Sequence, residues 1–177
     1  MSNKSPLQYT DETDRAYGVA GMAIAMVLWD GEHYLASVSI DKPVGESIEF
    51  TPAFGFSGNP RLTASLAWRE LLKQYELSSA MIMGNAMCRS YVRASSPLAS
   101  DVAAALRAIV VAEGKDTCSL DEDEIDMVYR KIHRYLDRAF SHAGVSSLAH
   151  DMANALTHRR RLSASEVFEI LSALNRM

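Results

Sequence analysis

Asn85, Arg89 and Arg93 stand four residues apart, so on a helix they project as one polar stripe. An amide and two guanidiniums on one face suit a carboxylate or phosphate, because guanidinium forks match planar oxyanions and gain strength where water is excluded. The stripe lies in a segment, residues 79–93, that is otherwise apolar nearly all round: Met81, Ile82, Met83, Ala86, Met87, Cys88, Tyr91 and Val92 leave little polar face. Helices of that pattern lie in a domain's interior. The competing account is a solvated edge, or an internal salt bridge to Glu70, Asp101 or an acidic residue of the helix that follows Ser119. A concave pocket on which the three side chains converge would favour an anion site, and an outward stripe would remove it.

A second basic group, His158-Arg159-Arg160-Arg161, precedes a helix start at Ser163. Three arginines beside exposed helix amides suit phosphates, which makes Arg159, Arg160 and Arg161 the candidate nucleic-acid contacts. No aromatic residues are interleaved with them and no base-reading helix pattern accompanies them. They serve equally to offset acidic neighbours or to cap the preceding helix.

His150-Asp151 resembles the metal-binding His-Asp step of the HD phosphohydrolases, with His133 and His142 upstream. That chemistry needs further ligands, and only Glu166 and Glu169 remain as later carboxylates. His133 has a nearer partner in Asp137, one helical turn on. Cys88 precedes Arg89, and a neighbouring cation can lower a thiol pKa toward a reactive thiolate. No base is nominated beside it, and its apolar neighbours read as core. Met22, Met26, Met81, Met83, Met87, Met127 and Met152 suit either an adaptable cavity or flexible packing, and flexible packing is the simpler account. Residues 121–126 lack the glycine and ligand spacing of a calcium loop. No motif calls for a catalytic residue, a metal or a cofactor.

The elements that must position these groups divide near Asn59-Pro60, where short runs give way to helical periodicity. Residues 1–14 are polar and aperiodic and are expected as a flexible arm. The run from Val19 to Trp29 is apolar on both faces and ends in Asp30-Gly31, a hairpin signal. It reads as the first strand of a meander over 18–51, followed by strands near 34–40 and 47–51, although a buried helix over 16–29 fits the same apolar run. Residues 52–59, with Phe54, Gly55, Phe56 and Gly58, form the crossing loop.

Asn59-Pro60 makes a cap and first-turn pair for a helix carrying Leu62, Leu66, Trp68, Leu71, Leu72 and Tyr75, with a break at Ser78-Ser79. Further helices start at Ser96-Pro97, at a Ser119/Glu122 capping box, near Ser146, and at a Ser163/Glu166 capping box. The expected fold is α+β: an N-terminal three-stranded antiparallel meander, then about five helices over 60–176, in a single domain of 177 residues with 79–93 as its innermost rod.

A hydrophobic fraction of 48% supports a substantial core. The net charge of −4 gives no global attraction to nucleic acid or anionic lipid, so nucleic acid is a disfavoured partner. The 14 residues 16–29 fall short of the ~20 that span a bilayer, and they follow Asp11, Glu12 and Asp14 instead of a basic leader, so no membrane is expected. Two cysteines, Cys88 and Cys118, fit a reducing cytoplasm. These readings point to a non-enzymatic binding or assembly module acting through protein contacts, as a homodimer through a sheet edge or helix face. An anionic-metabolite binder or enzyme using Asn85, Arg89 and Arg93 is the alternative.

Overall fold

The apolar run after the N-terminal segment is a helix. The computed structural model describes residues 5–54 and 64–177, and in it α1 spans Glu12–Leu28. Asp11 caps it, its Oδ1 accepting from the Asp14 amide at 2.7 Å, and Glu12 and Asp14 lie beside the positive end of its dipole. At the other end the Gly31 amide donates to the Met26 carbonyl at 2.9 Å and the Asp30 amide to that of Val27 at 3.1 Å. Those paired bonds close a helix in the Schellman manner. Asp30 takes the left-handed position at φ 53°, whereas Gly31 sits at −97°. Asp30-Gly31 is therefore a helix cap, and the strand expected over Val19–Trp29, with its hairpin, is corrected to a helix.

Gly18 and Gly21 weaken a helix through backbone entropy, but here they permit close packing. A Cβ on Gly21 would stand 2.2 Å from the Gly84 carbonyl oxygen, and one on Gly84 2.6 Å from the Ala25 Cβ. The two glycines meet where α1 crosses α2 (Ala64–Met87).

The fold is α+β, with a three-stranded antiparallel sheet in the order β2-β1-β3. β1 (Leu35–Ser39) and β2 (Ile48–Phe50) form the expected second and third strands, pairing Val38 with Ile48 and Leu35 with Phe50 around a bulge. The remaining place goes to β3 (Arg161–Ser163), which sets Leu162 against Val38. The sheet is thus completed from the C-terminal half, and not by an N-terminal meander.

α2 runs unbroken through Ser78 and Ser79 and passes into a π-helical turn, Cys88–Arg93. α3 (Ser100–Cys118), α4 (Glu122–Ser141), α5 (Ala143–Arg159) and α6 (Ala164–Leu171) follow. The α6 capping box is Ser163 with Glu166, as expected. The α4 box is Asp121 with Glu124, two residues beyond the expected pair, because Ser119 takes φ 50° to close α3. The expected Asn59-Pro60 cap, with Gly55, Phe56, Gly58 and Leu62, lies outside the described residues.

α1 is the centre of the core. Ala16, Val19, Ala20, Ala23, Ile24, Ala25 and Met26 have no exposed surface, and the helix packs on α2, α5, α6, the π-turn and both N-terminal strands. Burying side chains such as Ile24 and Met26 contributes about 1.5–3 kcal/mol each. In the segment expected to be innermost, Met83, Met87 and Cys88 are fully buried while Ile82, Asn85 and Arg89 are half-buried. Among the described residues no helix is long and apolar enough to cross a membrane.

Candidate functional site

The Asn85–Arg89–Arg93 stripe faces the chain's own N-terminal segment. Arg89 forks onto Asp14, Nε to Oδ1 at 2.9 Å and Nη2 to Oδ2 at 2.6 Å. The same guanidinium donates to the carbonyls of Leu7 and Gln8, both at 3.0 Å. The Tyr9 ring lies 4.9 Å from it in cation–π contact. The Tyr9 hydroxyl accepts from Asn85 Nδ2 at 2.6 Å. Arg93 reaches Asp11 at 2.7 Å and Asp14 at 3.4 Å.

Burial alone would raise the Asp14 pKa, but hydrogen bonds from Arg89 and the Thr10 amide, with the charges of Arg89 and Arg93, hold it below the usual carboxylate range. The three stripe residues thus converge, but on Tyr9, Asp11 and Asp14, and the segment expected as a mobile arm is fastened at Leu7 and Gln8. Of the partners expected from sequence, Glu70 accepts from the Tyr34 hydroxyl at 2.5 Å and Asp126 binds Arg107 and Arg130, both at 2.7 Å. An external anion at Arg89 would have to displace Asp14.

The basic corner is similarly committed. Arg159 pairs with Glu166 at 2.6 Å, Arg160 with Asp41 at 2.5 Å and with Glu12, and Arg161 with Glu49 at 2.9 Å. These bridges tie β3 and its approach to β2, α1 and α6.

The histidines are scattered. His150 Nδ1 lies 2.6 Å from the Tyr17 hydroxyl, His142 Nδ1 accepts the Gly144 amide at 3.1 Å to cap α5, and His133 packs on Tyr129. Asp137, the expected partner of His133, accepts from the Tyr91 hydroxyl at 2.7 Å. Among the described residues no group of three or more His, Cys, Asp or Glu is placed to hold a metal ion. Cys88 is fully buried, and burial pushes its thiol pKa well up, against the thiolate that its neighbour Arg89 suggested.

A cleft of about 410 Å³ opens between α1, β2, α2 and α3. Met22 and Met81, two of the seven methionines singled out, line it, whereas Met26, Met83, Met87 and Met152 are core and Met127 is exposed. One wall is aromatic: Phe50 and Phe54 stack with centroids 4.0 Å apart, and Tyr34 meets Phe54 edge-on at 5.4 Å. Burial and the adjoining Glu70 carboxylate push the Tyr34 hydroxyl up to about 12. Ile82, Leu106 and Ile109 continue the apolar lining. Leu7 and Asn85 also border the cleft, so it shares a wall with the fastened N-terminal segment.

Glu113, on the α3 face that carries Leu106 and Ile109, completes the lining. Sequence reasoning missed Glu113 and the Phe50–Phe54 wall. The available signal was the spacing of Ile109 and Glu113, which puts a carboxylate one turn beyond an apolar residue on a single face. Compared with known proteins, the chain matches no family model, no curated protein and no solved structure.

Proposed function

We propose that this chain is a non-enzymatic binding module whose working surface is the apolar cleft between α1, β2, α2 and α3. The observation that carries the reading is the cleft: about 410 Å³, walled by Met22, Phe50, Phe54, Met81 and Ile82, with Ser78, Asn85 and Glu113 as its polar points. Small-molecule and recognition pockets span roughly 300–1,000 Å³ and combine apolar walls with a few placed polar groups.

Two further facts support it. The polar residues most suited to chemistry, Arg89, Arg93 and Arg159 to Arg161, are each paired with a carboxylate of the same chain. β2 and β3, at the two edges of the sheet, are three residues each, too short to favour self-association by strand pairing. The reading includes a reducing, cytoplasmic setting, supported by two free and buried thiols, Cys88 and Cys118.

Titration with the neutral apolar dye Nile red tests the proposal. The expected result is one saturable site, blue-shifted in emission, that disappears in Ile82→Trp while the far-ultraviolet circular dichroism is unchanged. Absence of saturable binding, or binding indifferent to Ile82→Trp, overturns it.

A further inference from the structure

Among the described residues that line the cleft, Glu113 alone is ionisable; none is Lys, Arg or His. Its carboxylate is half-buried, and among the described residues no charge or hydrogen bond offsets its desolvation, so burial raises its pKa. Two acidic groups of α4 and one of α2, by contrast, have cations of their own. Glu122 binds Lys115 at 2.8 Å, Asp126 binds Arg107 and Arg130, and Glu76 of α2 binds Lys131 at 2.9 Å. Lys115, the lysine nearest in sequence to Glu113, is thereby committed to Glu122.

A partly dehydrated carboxylate without a counter-ion is costly, and the cost falls when a cation or strong donor is brought to it. The remaining walls, with Phe54, Ile82 and Ile109 among them, offer dispersion contact and apolar burial but no second charge.

We infer that the cleft binds an apolar primary amine, its hydrocarbon body against the Phe54–Ile82–Ile109 walls and its ammonium on the Glu113 carboxylate. This inference rests on the cleft being the working surface, and it names the charge and shape of the occupant. The cavity size suits a ligand of one or two rings or a medium alkyl chain, within the range of small-molecule sites. An alcohol of the same length would keep the apolar contacts and lose the ion pair. A carboxylate of the same length would meet like charge at Glu113.

Calorimetric titration of the full chain with octylamine, octan-1-ol and octanoate, at one pH and ionic strength, tests this. Octylamine is expected to bind at least about tenfold tighter than octan-1-ol, and octanoate weakest, because hydrogen bonds to charged groups contribute more than neutral ones. In Glu113→Gln, a near-isosteric change at a half-buried position, octylamine should fall to the affinity of octan-1-ol while octan-1-ol is unchanged. Equal affinity of amine and alcohol in the native chain, or an amine preference that survives Glu113→Gln, overturns the inference and leaves the cleft as a binding surface. Failure of all three probes to bind, or binding indifferent to Ile82→Trp, overturns the cleft reading with it.

Discussion

Arg89 and Asp14 form a two-pronged ion pair whose side chains are 12% and 5% exposed, so solvent screens little of their attraction. Removing one partner of a buried pair leaves the other charge uncompensated and costs about 3–5 kcal/mol. Arg89→Met is expected to lower the unfolding free energy by that amount and to open residues 5–11 to proteolysis, since it also removes the donors to Leu7 and Gln8. Urea denaturation and limited chymotrypsinolysis, read at Leu7 and Tyr9, measure the two effects. A loss below about 1 kcal/mol would place the pair with ordinary surface bridges.

Two carboxylates should pull the pH dependence of stability in opposite directions. The folded pKa of Asp14 is depressed, so its contribution is complete above the unfolded value near 3.9 and is lost as pH falls toward the lower folded value. Asp14→Asn should therefore flatten the acid limb of the stability curve relative to the native chain. The folded pKa of Glu113 is raised, so its contribution is present below the unfolded value near 4.3 and is lost as pH rises through the folded one. Glu113→Gln should be more stable than the native chain at pH 7 and no more stable at pH 3, a comparison made by chemical denaturation at both values.

Alanine normally strengthens a helix interior relative to glycine by about 0.5–1 kcal/mol. At Gly21 the sign should reverse, because the added methyl would sit 2.2 Å from the Gly84 carbonyl oxygen and 2.5 Å from the Cys88 Cβ. Backbone cannot yield as a flexible side chain does. Overpacking of this kind costs about 1–3 kcal/mol, and a thermal melt of Gly21→Ala that rises instead of falling would show that α1 and α2 can slide apart without loss.

Asp30 holds a left-handed conformation, φ 53°, at an exposed position just past the α1 C-terminus. Glycine adopts that conformation without Cβ strain. Asp30→Gly is expected to stabilise the protein by a few tenths to about 1 kcal/mol, or roughly 1–4 °C in Tm. A lowered Tm would mean that the aspartate side chain contributes more than its backbone strain costs.

Where local rules act alone, the fold was readable in the residues. Ser163 with Glu166 marked the start of α6, and the buried face of α4 carries Ile125, Ile132, Leu136 and Phe140 at helical spacing. α1 was misread because Gly18, Gly21 and Asp30-Gly31 each argue locally against a helix or for a hairpin. Length argued the other way: 17 residues rich in alanine exceed an ordinary strand, and tertiary packing around Gly21 and Gly84 offsets the local penalty. The polar stripe was placed on one helix face correctly, yet its partners Asp11 and Asp14 lie 82 and 75 residues away in the chain, a separation no periodicity reports. Glu113 was passed over for a related reason, since only the assembled walls of the cleft show that no described residue beside it is a cation.

The central strand acquires its second neighbour late. Ser37 is bonded by Arg161, 124 residues further along, and Val38 is flanked by Leu162. At translation rates of about 5–20 residues per second, β1 waits roughly 6–25 s on the ribosome with one edge bare. During that interval the nascent chain carries an unsatisfied β-edge beside apolar Val38 and Ile40, the kind of surface that chaperones retain and that neighbouring chains on a polysome can capture. Native closure of the sheet is therefore timed by emergence of the Arg159–Ser163 corner and not by the helices that precede it.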